Sequence, residues 1–300
     1  MKTQEVKQRI ALRNILFATD FEVSASRALP FAVALRDRYH AKLYLAHVIP
    51  QEAYMYCRPE SIPQILKETR GYATYALKQV SVPLSRQGKH CETLLGEGDV
   101  SRVLTEFVQQ YSVDLVVVGT SSRGGLGKVL LGSVAEEIIR EAPCPVMTVG
   151  PHVTAEASAG IQSIVCAIDF SAESLRAAEV ATSLAAQYQA HLALVHVIEG
   201  ISENSRDAAR QLIEKQLREV IPLEADLTYE PEPVIETGLA GERILRVAAD
   251  LLADIVVMGV RGVGAFAQTA SRFGSIAHKV VSLATCPVLT VGVEKKPETD

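Results

Sequence analysis

The segment with the most evident chemical capacity is GTSSRGGLGKVLLGS, from Gly119 to Ser133, with glycines at 119, 124, 125, 127 and 132. Glycines let main-chain N–H groups close around an anion, and a helix beginning at Gly132 adds free N–H groups and a positive dipole end. Ser133 supplies a hydroxyl at that helix start, and Lys128 lies within the loop. This is chemistry suited to phosphate oxygens. Read without a ligand, the loop is a flexible connection and Lys128 a solvated surface charge. Asp20 and Asp169 each close an apolar run just before a helical pattern. Each carboxylate can therefore serve a ligand or simply cap its own loop. His47 and His196 sit inside apolar runs, where an imidazole bonded to backbone is expected before a ligand.

Spacing excludes several other chemistries. A P-loop needs Gly-Lys-[Ser/Thr] five residues after its first glycine, and here Gly124, Gly125 and Leu126 follow Gly119. Gly96-Glu-Gly98-Asp-Val-Ser101 lacks the third glycine of a dinucleotide fingerprint and follows a third strand rather than a first. A tight strand-to-helix turn explains Gly98 and the matching Gly238. Cysteines at 57, 91, 144, 166 and 286 form no Cys-x-x-Cys, so neither a zinc site nor a disulfide framework is expected, and a reducing compartment fits. A net charge of −5 argues against a nucleic-acid partner. No apolar stretch nears the ~20 residues that cross a bilayer. The N-terminal residues are charged up to Arg13, with too short an apolar run behind them for a secretory core. A cytoplasmic protein with no membrane association is the expectation.

These chemical residues occur twice because the chain itself does. NILFATDF at 14–21 returns as SIVCAIDF at 163–170, LYLAHVI at 43–49 as LALVHVI at 192–198, DLVVVG at 114–119 as DIVVMG at 254–259, and CPVMTVG at 144–150 as CPVLTVG at 286–292. The offset is 149 at Asp20/Asp169 and His47/His196, 140 at Gly119/Gly259 and 142 at Cys144/Cys286. The second copy is thus nine residues shorter between its second and fourth strands and two longer after the fourth. Both changes fall where loops belong. The copies occupy 13–150 and 162–293, joined by the small and polar residues 151–161.

The elements that position the loop and the aspartates follow from hydrophobic patterning. Short Val/Ile/Leu runs without polar alternation predict strands buried on both faces of a parallel sheet. Ser24 to His40 and Ser171 to Tyr188 predict helices lying on that sheet, each opened by a capping serine. The first copy reads as strand 15–19, helix 24–39, strand 42–49, helix 61–80, strand 90–95, helix 100–111, strand 114–118, helix 132–141 and strand 145–149. Strict alternation of this kind implies right-handed crossovers and a doubly wound α/β domain with a five-stranded parallel sheet. In such sheets ligands lie beyond the carboxyl ends of the strands, where Asp20, Val48 and Gly119, and again Asp169, Val197 and Gly259, are expected. Residues 50–60, PQEAYMYCRPE, belong to the longer first copy and offer a candidate lid or partner surface.

The strand-one Asp, the His-Val ending strand two, the glycine loop entering Gly-Ser and the closing Cys-Pro-Val resemble a tandem universal stress protein, from Arg13 to Val293. The resemblance implies the strand order 3-2-1-4-5 of the adenine-nucleotide alpha hydrolase-like fold. Nucleotide-binding members of that family carry Gly-x2-Gly-x9-Gly-[Ser/Thr]. By resemblance, Thr19, Asp20 and Val48 would contact the adenine side of a nucleotide, Val118 and Gly119 the ribose side, and Gly132 and Ser133 the phosphates. Ser122 stands at the motif's second glycine; if that position needs positive φ, serine costs about 1 kcal/mol. The second copy offers Asp169, Val197, Gly259, Gly262, Gly274 and Ser275, with eleven residues rather than nine between Gly262 and Gly274. The implied ligand is an adenine nucleotide, ATP accompanied by Mg2+, bound in at least the first domain. The implied role is a stress-response sensor or regulator without required catalysis. Two alternatives stay open: an interaction scaffold with degenerate sites, and a slow ATPase. The family order makes the CPVMTV and CPVLTV strands sheet edges, which the resemblance pairs with each other within the chain; a homodimer and unidentified protein partners are further expectations.

Overall fold

The fold is that of a computed structural model, which describes residues 11–51, 54–85, 91–120, 131–154, 160–200, 203–222, 225–260 and 275–292. The chain divides into two compact units, Leu12–Pro151 and His152–Val293. The first contains β1 (Asn14–Ala18), α1 (Val23–Tyr39), β2 (Lys42–Pro50), α2 (Ile62–Ser85), β3 (Cys91–Gly98), α3 (Val100–Gln110), β4 (Leu115–Gly119), α4 (Ser133–Glu141) and β5 (Val146–Val149). Its strands lie in the order β3-β2-β1-β4-β5, every neighbouring pair parallel. The second contains β6 (Ser163–Ala167), α5 (Ala172–Tyr188), β7 (His191–Ile198), α6 (Glu203–Val220), β8 (Glu232–Thr237), α7 (Ala240–Asp250), β9 (Ile255–Gly259), α8 (Ser275–Leu283) and β10 (Val288–Val291). Its order is β8-β7-β6-β9-β10, also parallel throughout. Both units therefore have the expected 3-2-1-4-5 arrangement.

Buried apolar strands form each core. Ile15, Leu16 and Phe17 in β1 and Val116 and Val117 in β4 are essentially inaccessible, as are Ile164, Val165 and Cys166 in β6. The helices that cover the central strands do so with small side chains. Ala25, Ala28 and Ala32 line the buried face of α1, and Ala177, Ala178, Ala181 and Ala185 that of α5. Small residues bring a helix close to its sheet, and at one point the approach leaves no room for a Cβ. An alanine at Gly119 would run into the Ser24 carbonyl and approach the Ala25 nitrogen at 2.7 Å; at Gly259 it would meet the Glu173 Cβ at 2.8 Å. The glycine ending the fourth strand of each unit is thus required by the helix after the first.

At the opposite end of the sheets the repeated Asp of DLVVVG and DIVVMG has a structural use. Asp114 Oδ2 accepts from the N–H groups of Arg13 at 2.7 Å and Asn14 at 2.8 Å. Asp254 Oδ2 does the same for Gln162 at 2.7 Å and Ser163 at 2.9 Å. Each carboxylate pins the entry of the first strand to the fourth. Gly98 and Gly238 adopt φ of +131° and +133°, which glycine alone tolerates readily, confirming the strand-to-helix turn. Behind Gly98, Asp99 caps α3 by accepting from Arg102 N–H at 2.9 Å. That N–H and the Ser101 hydroxyl hold its carboxyl below the usual range. In the second unit α7 is capped from elsewhere, Glu199 accepting from Ala240 N–H at 2.8 Å.

Two expectations need correction. Ser24 does not cap α1: the N-cap is Glu22, which makes no side-chain cap bond, and Ser24 is buried in the first turn with its carbonyl against Gly119. The helix starts early because the chain turns sharply at Phe21, described below. In α5 the expected serine, Ser171, does cap, accepting from Ser174 N–H at 3.2 Å. The second correction is α2, which continues past residue 80 to Ser85 with Pro83 inside its last turn. Ser81 is buried there, and the Ser85 hydroxyl donates to the Ser81 carbonyl at 2.9 Å, so tertiary packing holds a turn that proline disfavours.

Candidate functional site

In the first unit the carboxyl ends of β1, β2 and β4 bring Thr19, Asp20, Val48, Val118 and Gly119 to one edge of the sheet. Helix α4 runs back between parallel strands, so its N-terminus, Gly132 and Ser133, returns to that same edge. The structure thus collects the expected residues on one side of the sheet. Ser122, and Lys128 with the rest of the glycine loop, lie outside the described residues, as do Gly262 and Gly274. In the second unit Asp169, Val197 and Gly259 end β6, β7 and β9, and Ser275 opens α8.

Among the described residues the start of α4 is open. Gly132 is its N-cap and makes no side-chain cap bond, with φ −64° and ψ 144°, values any residue adopts. Among the described residues nothing lies within 4 Å of a Cβ built there. Neither backbone strain nor crowding by the described residues accounts for this glycine, unlike Gly119. Ser133 and Val134 are exposed beside it. The first turn of a helix carries N–H groups without intrahelical acceptors, so this end is suited to an anionic oxygen. Val48 and Val118 are only 5% exposed, so contacts there would come from main chain rather than side chain. Thr120, next after Gly119, is 4% exposed and its hydroxyl has no hydrogen-bond partner among the described residues; Val260 stands in its place in the other unit.

The turns bearing the two aspartates repeat in detail. Asp20 Oδ1 accepts from Glu22 N–H at 2.9 Å. Asp169 Oδ1 accepts from Ser171 N–H at 3.0 Å and from the Ser171 hydroxyl at 2.6 Å. Asp20 is exposed, whereas Asp169 is half-buried and tied to its own cap. Next comes a phenylalanine with positive φ, +65° at Phe21 and +63° at Phe170. Each ring leans on the strand-two histidine, with centroids 4.4 Å apart for Phe21 and His47 and 5.1 Å for Phe170 and His196. His47 Nδ1–H donates to the Thr19 carbonyl at 2.7 Å and His196 Nδ1–H to the Ile168 carbonyl at 2.8 Å. Burial holds the His47 pKa below the ordinary histidine value, against the opposing pull of the Thr19 carbonyl and the Asp20 charge. The first unit adds Tyr72, edge-on to Phe21 at 6.5 Å and largely exposed.

Nothing described elsewhere competes as a chemical centre. Burial, reinforced by Asp114 and Asp254, pushes the Cys144 and Cys286 thiols up to about 12, so neither is a thiolate nucleophile at neutral pH. No group of three or more His, Cys, Asp or Glu among the described residues could hold a metal ion. An open cleft of about 430 Å³ between α3 and α4 is lined by Arg102, Glu106, Arg140 and Glu141 among others. Both of its arginines already pair with neighbouring carboxylates, Arg102 with Glu106 at 3.2 Å and Arg140 with Glu141 at 3.0 Å. The segment after β2 presents Met55 and Tyr56 to solvent, Tyr56 at 92% exposure, before a 3-10 turn at Pro59–Ser61. No described helix is long and apolar enough to cross a membrane.

Comparison with known proteins places this architecture. The model of the Universal stress protein family matches residues 11–150 and matches again at 160–292. The chain belongs to the universal stress protein family. It carries two such domains in tandem. A universal stress protein of Methanocaldococcus jannaschii is 30% identical over 141 residues, 46% of this chain and 81% of the relative. A universal stress protein from Archaeoglobus fulgidus superposes with a TM-score of 0.72 at 20% identity, covering 93% of this chain and 98% of that one. A functionally unknown protein from Pseudomonas aeruginosa does so with a TM-score of 0.61 at 20% identity, covering 95% and 94%. At such identity these two likenesses bear on fold alone.

Proposed function

We propose that this tandem universal stress protein is a regulatory module that binds an adenine nucleotide, ATP with its Mg2+, in the first unit. The observation that carries the reading is the start of α4 at Gly132 and Ser133, uncapped and uncrowded among the described residues and on the same sheet edge as Asp20. A triphosphate needs unpaired N–H groups with room to approach, and a ribose or base needs a polar acceptor some distance away. Thr19, Asp20 and Val48 form that distant end, with Val118 and Gly119 between. Magnesium in this reading is held by the phosphate oxygens rather than by a protein cage. The Asp20 carboxylate bonds one N–H of its own turn and is exposed, which leaves it suited to a ligand.

The second unit favours a different reading. Its Asp169 is engaged by both groups of Ser171, and Val260 replaces Thr120. That unit serves the fold and protein contacts, the scaffold role, with the first as the ligand-bearing partner. A bound nucleotide regulates only by favouring one of two conformations over the other. Assembly into homodimers and a cytoplasmic location belong to the same proposal.

Gently purified full-length chain is expected to retain, or take up in titration, an adenine nucleotide, with ATP, AMP and cyclic AMP ranked by calorimetry. Gly132→Val, which places a branched side chain where phosphate would sit, is expected to weaken ATP binding at least tenfold with an unchanged circular dichroism spectrum. Equal affinity in Gly132→Val, or no binding by the parent chain, contradicts the reading.

A further inference from the structure

A phenylalanine in the left-handed region is sterically unfavourable, yet both units place one directly after the site aspartate. A conformation of this kind persists only where surroundings impose it. Here the surroundings are the same pair of contacts in both units. The ring of Phe21 or Phe170 rests on the imidazole of His47 or His196. The same imidazole donates from Nδ1 to the carbonyl of the residue before the aspartate, Thr19 or Ile168. The histidine thus grips the chain on both sides of the aspartate, one residue before it by a hydrogen bond and one after it by ring contact. A carbonyl can only accept, so Nδ1 carries the proton and the tautomer is fixed. Phe21 N–H also donates to the Thr19 hydroxyl at 3.0 Å, closing the first turn on itself.

We propose that His47 is a positioning residue for the nucleotide site. Its two-sided grip on the Thr19-Asp20-Phe21 turn sets the direction of the Asp20 carboxylate toward the sugar-and-base end of the ligand, and His196 keeps the same turn geometry in the second unit. This rests on the nucleotide reading above and extends it. The grip acts on one end of the ligand only, because Gly132 and Ser133, at the phosphate end, are carried by a different element.

That separation supplies the test. His47→Leu removes the donor while keeping bulk, and His47→Asn keeps an N–H donor near the Nδ1 position. In calorimetric titrations of the full-length chain, His47→Leu is expected to bind ATP about tenfold more weakly, while inorganic tripolyphosphate, which lacks sugar and base, binds as in the parent. His47→Asn is expected to recover most of the ATP affinity. Should His47→Leu fail to fold, Phe21→Gly removes the ring contact without backbone strain and is expected to show the same selective loss. ATP affinity unchanged in these variants overturns the proposal, as does equal loss of ATP and tripolyphosphate, the mark of a general structural role. A parent chain that binds neither ATP nor tripolyphosphate overturns the nucleotide reading and this proposal together; a parent that binds ATP with an indifferent His47→Leu overturns the positioning role alone.

Discussion

His47 sits in β2 with its imidazole partly withdrawn from water, and burial is the largest influence lowering its pKa. The sign of the consequence is fixed by linkage. In the unfolded chain the imidazole titrates near 6.5, whereas the folded unit resists the proton until lower pH. Below about 6.5 the unfolded state therefore binds more protons, and stability falls as pH falls through that window. The full contribution is present above the unfolded value. Comparing urea midpoints at pH 7 and pH 5, the parent is expected to lose more stability than His47→Asn, whose side chain does not titrate. Identical pH dependence in the two would show that this imidazole is not withdrawn from the proton. Residue identity alone did not reveal this site fully. Asp20 and Asp169 were legible as strand-ending carboxylates, but the left-handed Phe21 and Phe170 were not, since nothing in a phenylalanine announces positive φ. Their signal was the recurrence of Asp-Phe at both strand ends together with His-Val, which only the structure connects.

Among elements, the close contact of α1 on β4 is the most restrictive. Gly119→Ala would push a methyl into the Ser24 carbonyl, and backbone on both sides leaves little to yield. A cost of about 1–3 kcal/mol follows from overpacking of this kind, and urea unfolding should show it. A midpoint matching the parent would mean that α1 shifts freely, and with it the Asp20 turn. Gly132→Ala, by contrast, meets no described neighbour within 4 Å and is expected to leave the midpoint nearly unchanged. The strands were readable because parallel strands buried on both faces need continuous apolar runs, and duplication gave each run a second witness. Helix boundaries were less readable. Ser24 looked like a cap by residue type, but a turn one residue long moved the true N-cap to Glu22. The helix expected over 61–80 runs on through Pro83 to Ser85, held by the burial of Ser81 and the Ser85 bond. Asp114 and Asp254 were visible as part of a repeat, but their use, pinning strand entries, required knowing which strands are neighbours.

At the level of the whole molecule, duplication has kept the scaffold and let the two sites diverge. Both units retain the strand order, the Gly98/Gly238 turn and the histidine grip. They differ in the engagement of the aspartate, in Thr120 against Val260, in Tyr72 beside Phe21 and in the spacing of the glycine motif. Every one of these differences lies at the carboxyl edge of the sheet, where the ligand is proposed to bind, or in the segment after the fourth strand. The features that hold the fold are thus shared, and those proposed to meet a ligand are not. The direct measurement is isothermal titration of the full-length chain with ATP in excess Mg2+, read for stoichiometry and repeated with Gly132→Val. The result in keeping with this account is close to one nucleotide per chain, lost in the variant. Two equivalent sites per chain, or binding indifferent to Gly132→Val, would contradict it.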